Sequence, residues 1–179
     1  NLTLVGVIDA DLGLMGSDLR AAERTFQLMR QVAGRAGRAE APGTALLQTY
    51  QPDHPVIRAI LAGDEEGFWK AEAGERRQAG VPPYGRMAGI ILSGPDVAAV
   101  FEAGNQLARQ DGPLRAVGAK VYGPAPAPIA RVRGRHRVRL LVKADKSVPL
   151  QDALAKWVGQ LRLKGDLRIA VDIDPQSFY

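Results

Sequence analysis

A chain of 179 residues, 46% of them hydrophobic, is long enough for one or two globular domains with a buried core. It holds no cysteine, which excludes disulfides and thiolate metal sites, and its two histidines, His54 and His136, stand in no metal-ligand spacing. Net charge is +5 and unevenly spread: nine Lys/Arg and one acid, Asp145, lie between Pro113 and Lys146, the footprint of a polyanionic partner or of a solubilising face. No apolar run approaches the ~18–20 residues of a membrane span and no signal peptide opens the chain, which fits a cytoplasmic protein without a membrane partner.

The chain opens on a strand, Leu2 to Ile8, short and rich in branched residues. Entering such a strand at once, without a methionine, it reads as a fragment cut from within a longer protein. The loop Asp9-Ala10-Asp11-Leu12-Gly13 follows at the strand's carboxyl end, where α/β sheets place ligand-binding loops. Ser17 or Asp18 is expected to cap a helix with Leu19, Ala22, Phe26, Met29 and Ala33 at helical spacing, running to about Gly34. Pro42-Gly43 turns the chain into a second strand, Thr44 to Tyr50. After the break Pro52-Asp53-His54-Pro55 come a short helix, Val56 to Leu61, and a longer mixed-charge helix from Asp64 to near Gly80. The rigid run Val81-Pro82-Pro83-Tyr84-Gly85 marks a domain boundary. The expected organisation is residues 1–63, a connecting helix over 64–81, and a second domain over 82–179.

In that second domain Met87 to Leu92 reads as a strand, and Asp96 starts a helix carrying Val97, Val100, Phe101 and Leu107. Ala116 to Tyr122 is a strand, and Gly123-Pro124-Ala125-Pro126-Ala127-Pro128 a stiff, polyproline-like connector. Ile129 to Arg133 and Arg137 to Lys143 form a hairpin around Gly134. Ser147 caps a helix with Leu150, Leu154, Trp157, Val158 and Leu161 at core spacing, and Leu167 to Ile173 is the last strand. The order β-α-β-β-β-α-β predicts a two-layer α+β sandwich, helices on one face of a mixed sheet.

Two stretches carry chemistry. Gln31-Val32-Ala33-Gly34-Arg35-Ala36-Gly37-Arg38 sets an amide, two glycines and two arginines within eight residues. If the helix continues through it, Gln31, Arg35 and Arg38 fall at i, i+4 and i+7 on one face. Gly34 and Gly37 leave room for a bulky anion, and arginine offers planar, permanently charged donors suited to phosphate. The bland alternative is a solvated basic helix end. In the hairpin, alternation predicts Ala130, Val132, Val138, Leu140 and Val142 on a buried face and Arg131, Arg133, Arg137 and Arg139 on the other, with Arg135 and His136 near the turn. Like charges across a strand pair are destabilising, so four arginines together call for something negative. Nucleic-acid phosphate, an acidic protein surface and plain solvation all remain open. No aromatic lies within the hairpin to stack a base; Tyr84 and Tyr122 read as structural.

The pattern Gln-x-x-Gly-Arg-x-Gly-Arg over Gln31 to Arg38 resembles the last motif of superfamily 2 helicases. Joined with Asp9-Ala10-Asp11, Asp18 to Arg24, Gln27-Leu28, Leu47-Gln48-Thr49, Glu75-Arg76-Arg77, Pro82-Pro83, Gly123-Pro124-Ala125-Pro126 and Asp172-Ile173-Asp174-Pro175, it makes the whole chain resemble the PriA family of primosomal replication-restart helicases.

The resemblance implies a fold and a function. The fold would be α/β: part of the second RecA-like helicase lobe with a parallel sheet, then an α+β sandwich similar to a small-subunit ribosomal protein. The family comprises bacterial ATP-dependent 3′–5′ DNA helicases, cytoplasmic and nucleoid-associated. They recognise stalled forks and D-loops, bind single strands and single-stranded DNA-binding protein, and recruit other primosome proteins. By position in the motif, Gln31, Gly34, Arg35 and Arg38 would face the nucleotide, with Arg35 and Arg38 catalytic and Arg38 the arginine finger. Asp9 and Asp11 would couple nucleotide state to DNA, or simply cap turns. Arg131, Arg133, Arg135, Arg137 and Arg139 are the candidate DNA-binding residues. The chain carries no Gly-x-x-x-x-Gly-Lys-Ser/Thr loop, no Asp-Glu-x-His magnesium site and no cysteine-rich zinc module. ATP and Mg²⁺ thus belong to the full-length protein, and the chain alone is expected to be inactive as an ATPase. The alternative is a non-catalytic DNA- or protein-binding module with a degenerate ATP site. Without its neighbouring strands the first region would expose apolar edges along Leu2 to Ile8 and Leu46 to Tyr50.

Overall fold

The computed structural model describes residues 3–14, 18–34 and 43–176. The chain forms two compact units, Asn1–Gly74 and Glu75–Tyr179, each with its own buried cluster.

In the first unit β1 (Leu4–Val7) and β2 (Thr44–Leu47) pair in parallel, Leu4 opposite Thr44 and Val7 opposite Leu47. Both strands are shorter than their apolar runs. A parallel pair needs a crossover, and α1 (Ala21–Ala33) lies within it. Val7 and Leu47 pack on Ala10, Met29 and Ile57, while Leu4 and Leu46, on the other face, are each 58% exposed. The first helix does not begin at its expected cap: Arg20 holds the N-cap position without a side-chain bond, and Asp18 accepts instead from the Arg20 amide (3.1 Å) and the Arg24 guanidinium (2.7 Å). Ser17 lies outside the described residues. His54 caps α2 (Pro55–Ala62), its Nδ1 accepting from Val56 N at 3.2 Å. Asp64 accepts from Gly67 N at 2.8 Å in the first turn of α3 (Glu65–Ala79). Phe26 and Phe68 stack with centroids 4.0 Å apart, and Trp69 meets both edge-on, a satellite core under α1 and α3.

The second unit runs β3 (Gly85–Gly94), α4 (Val97–Arg109), α5 (Gly112–Arg115), β4 (Lys120–Val132), β5 (Arg135–Asp145), α6 (Leu150–Gly159) and β6 (Arg168–Ile173). The sheet order is β4-β5-β3-β6 and every pairing is antiparallel, which corrects the expected mixed sheet. The reason is topological. The crossover from β3 to β4 leaves room for β5, and the crossover from β5 to β6 spans β3, the split β-α-β arrangement. The proline run is also corrected: Ala125 pairs with Arg139 and Pro126 with Val138, so the expected connector is part of one long strand. An edge strand tolerates prolines because their missing N–H donors are not needed for the ladder.

Asp96 caps α4 as expected, accepting from Ala98 N at 3.0 Å. Ser147 does not cap α6; Pro149 holds that position, and Ser147 lies in the turn closed by Val148 N to Asp145 O at 3.1 Å. Alternation turns Ala88, Ile90 and Leu92 of β3 and Val138, Leu140 and Val142 of β5 toward α4 and α6. Trp157 is fully buried there, and its indole donates to Leu107 O at 2.9 Å, which satisfies its one polar atom.

Candidate functional site

Two places gather the chemistry. In the first unit, α1 carries Gln31 to its exposed end and stops at Gly34, whose amide donates to Arg30 O at 2.9 Å. Arg35 and Arg38 lie outside the described residues. Beside Gln31 is a shallow cleft of about 300 Å³ lined by Phe26, Gln27, Arg30, Gln31, Glu65 and Trp69. Arg30 and Glu65 form an ion pair across it, and the Trp69 indole donates to Glu65 at 3.3 Å. The indole hydrogen bond and Arg30 hold the Glu65 carboxyl below its ordinary value.

The acidic loop is a clasp. Asp9 accepts from the amides of Asp11 (3.1 Å) and Leu12 (3.0 Å), the turn-capping role. Asp11 is buried and reaches the loop after β2, accepting from Thr49 Oγ1 at 2.6 Å and Tyr50 N at 2.7 Å. These bonds lower its pKa, against the raising effect of burial. Asp11 therefore joins the carboxyl ends of β1 and β2, the end of a parallel sheet where ligands bind.

In the second unit the five hairpin arginines fall into three groups. β4 pairs with β5 as Arg131 opposite His136 and Val132 opposite Arg135, leaving Arg133 and Gly134 as a two-residue turn. Both have positive φ, 48° and 79°, the pattern of a type I′ hairpin. Arg131 and Arg133 are exposed and contact no described residue through an ion pair or hydrogen bond. Arg137 and Arg139 lie on the sheet face turned away from α4 and α6. Arg135 is tied down: its guanidinium pairs with Asp166 and donates to the Asp166 carbonyl and to Ser93 O at 3.1 Å. The Arg135 bonds hold the Asp166 carboxyl below its ordinary value.

The expected single face of Arg131, Arg133, Arg137 and Arg139 is thus corrected. Between Pro126, opposite Val138, and Arg131, opposite His136, β4 holds three more residues than β5. An odd surplus reverses the side-chain alternation, so Arg131 shares the parity of His136. Val132 and Ala130, expected to be buried, are exposed. Sequence reasoning also missed Asp166, the partner of Arg135. The Gly165-Asp166 turn is the only local signal there, and it marks a loop rather than a long-range contact. Among the described residues no group of three His, Asp or Glu side chains is placed to hold a metal ion, and no helix is long and apolar enough to cross a membrane.

Residues 77–176 match the family described as the primosomal protein N C-terminal domain. The replication restart protein PriA of Rickettsia conorii is 42% identical over all 179 residues, which make up 27% of that protein. The PriA proteins of Bacillus subtilis and Haemophilus influenzae are each 35% identical over 178 residues, 98% and 99% of this chain and 22% and 24% of theirs. The chain therefore spans about a quarter of the length of these relatives. The chain belongs to the PriA family of replication restart proteins.

Proposed function

We propose that this chain is the carboxyl-terminal part of a bacterial ATP-dependent 3′–5′ DNA helicase of superfamily 2 that recognises stalled forks and D-loops and starts primosome assembly. Residues 1–63 complete the second RecA-like lobe, 64–81 connect, and 82–179 form a carboxyl-terminal domain similar to a small-subunit ribosomal protein. The observation that carries this reading is the similarity along the whole chain, joined to the motif Gln31 to Arg38. Gln31, Gly34 and Arg35 line the nucleotide, and Arg38 stabilises charge on the transferred phosphoryl group. Arg131, Arg133, Arg137 and Arg139 neutralise DNA phosphates, and Arg135 holds the hairpin that presents them. The phosphate loop, the magnesium site and the zinc module lie in the rest of the protein, which acts in the cytoplasm, at the nucleoid, with single-stranded DNA-binding protein and other primosome components.

The test is DNA-stimulated ATP hydrolysis by the intact protein. Arg38→Ala is expected to lower kcat by about 10³-fold or more, and the chain alone to show no magnesium-dependent hydrolysis. Undiminished hydrolysis by Arg38→Ala refutes the finger. No hydrolysis by the intact protein, with DNA binding retained, makes it a binding module with a degenerate ATP site.

A further inference from the structure

The four-stranded sheet has a second face, turned away from α4 and α6, and the register sets it out in rungs. Arg137, Ser93 and Arg168 stand side by side on β5, β3 and β6. The next rung is Arg139 and Ile91, flanked by Ala125 and Ala170. After it come Tyr122, Leu141 and Gly89, with Asp172 at the far edge. A cationic row, in which Arg168 also meets Asp166 at 3.5 Å, thus runs beside one that is apolar up to Asp172. Tyr122 is half exposed, and its hydroxyl bonds to no described residue. Chain order hides this grouping: Tyr122 precedes the proline run, and Arg168 lies 29 residues beyond Arg139.

A duplex presents phosphates and groove edges, so it matches only the cationic row. A single strand presents phosphates along one side and unstacked, apolar base faces along the other, and it matches both. We infer that this open face holds single-stranded DNA, with a base stacked on Tyr122 and phosphates on Arg137, Arg139 and Arg168. The inference rests on the DNA-binding reading above and gives it a surface distinct from the hairpin tip.

The experiment uses the intact protein and an oligodeoxythymidine in which single thymidines are replaced by 5-iododeoxyuridine. Fluorescence anisotropy across a salt series gives affinity, and irradiation followed by mass spectrometry finds the stacked residue. Tyr122 is expected to carry the crosslink. Tyr122→Ala should bind about 5- to 150-fold more weakly, with its melting curve unchanged, and Tyr122→Phe like the parent. Arg168→Ala should lower the salt slope by about 0.7. Crosslinks confined to the hairpin tip, with Tyr122→Ala binding normally and Arg131→Ala/Arg133→Ala binding poorly, overturn the open face and leave the DNA reading standing. Equal loss in Tyr122→Phe and Tyr122→Ala overturns the stacking. No DNA binding at low salt by the parent overturns both.

Discussion

Arg133 and Arg135 are two residues apart and play opposite parts. Arg135 gives its guanidinium to Asp166 and Ser93 O and fixes the hairpin base. Lysine there keeps the charge but not the planar fork, so Arg135→Lys is expected to speed hydrogen exchange at the amides of Val132 and Arg135, the pair that flanks the turn. Arg133 occupies a left-handed backbone conformation where glycine or asparagine is favoured, and it touches no described partner. Arg133→Gly is therefore expected to stabilise the domain by about 1 kcal/mol in urea melts, while lowering the salt slope of DNA binding. Asp11, Glu65 and Asp166 all have depressed pKa values, Asp11 from the Thr49 and Tyr50 hydrogen bonds. Such carboxylates add stability that is complete above their unfolded values, 3.8 for Asp and 4.5 for Glu, and lost as pH falls through the folded ones. The melting temperature is expected to drop below about pH 4.5. Asp11→Asn should remove part of that acid dependence, since an amide does not titrate there, and should lower stability at neutral pH, since its nitrogen cannot accept as the second carboxylate oxygen does.

At the scale of elements, β4 decides what the hairpin can do. Its two register breaks, Tyr122 to Ala125 and Pro126 to Arg131, set which side chains reach the open face. Gly123 makes the first possible: φ is 98°, and a Cβ there would sit 2.8 Å from the Arg139 carbonyl. Gly123→Ala is expected to destabilise the second unit by more than about 1 kcal/mol, read by chemical denaturation. Asp96→Ala removes a working cap and should cost about 1 kcal/mol. The difference between Asp96 and Ser147 is instructive. Both precede amphipathic helices, but only Asp96 stands beside the first free amide, and spacing alone does not separate the two.

At the scale of the molecule, the units differ in how completely they close. The second buries Ile90, Leu92, Leu140 and Trp157 fully between sheet and helices. Leu140→Ala there is expected to cost about 2–5 kcal/mol. Among the described residues the first has a two-stranded parallel sheet, and parallel sheets are ordinarily covered on both faces. Ile8, just after β1, is 81% exposed, and Tyr50, in the loop after β2, 91%. For the chain alone, amides of β1 and β2 should therefore exchange faster than those of β3 and β5.

The sequence by itself determined the local order of the molecule: the positions of both long helices of the second unit, the strand-helix-strand crossover of the first, the apolar stripe from Leu150 to Trp157, and the motif Gln31 to Arg38. These rest on periodicity and spacing within a few residues, which the chain carries locally. The tertiary structure alone decided which arginines share a face, that Asp166 clamps Arg135, and that Tyr122 and Arg168 lie on the same surface. The physical reason is that strand register pairs residues far apart in the chain, and three extra residues in β4 are enough to reverse the alternation that the sequence implied.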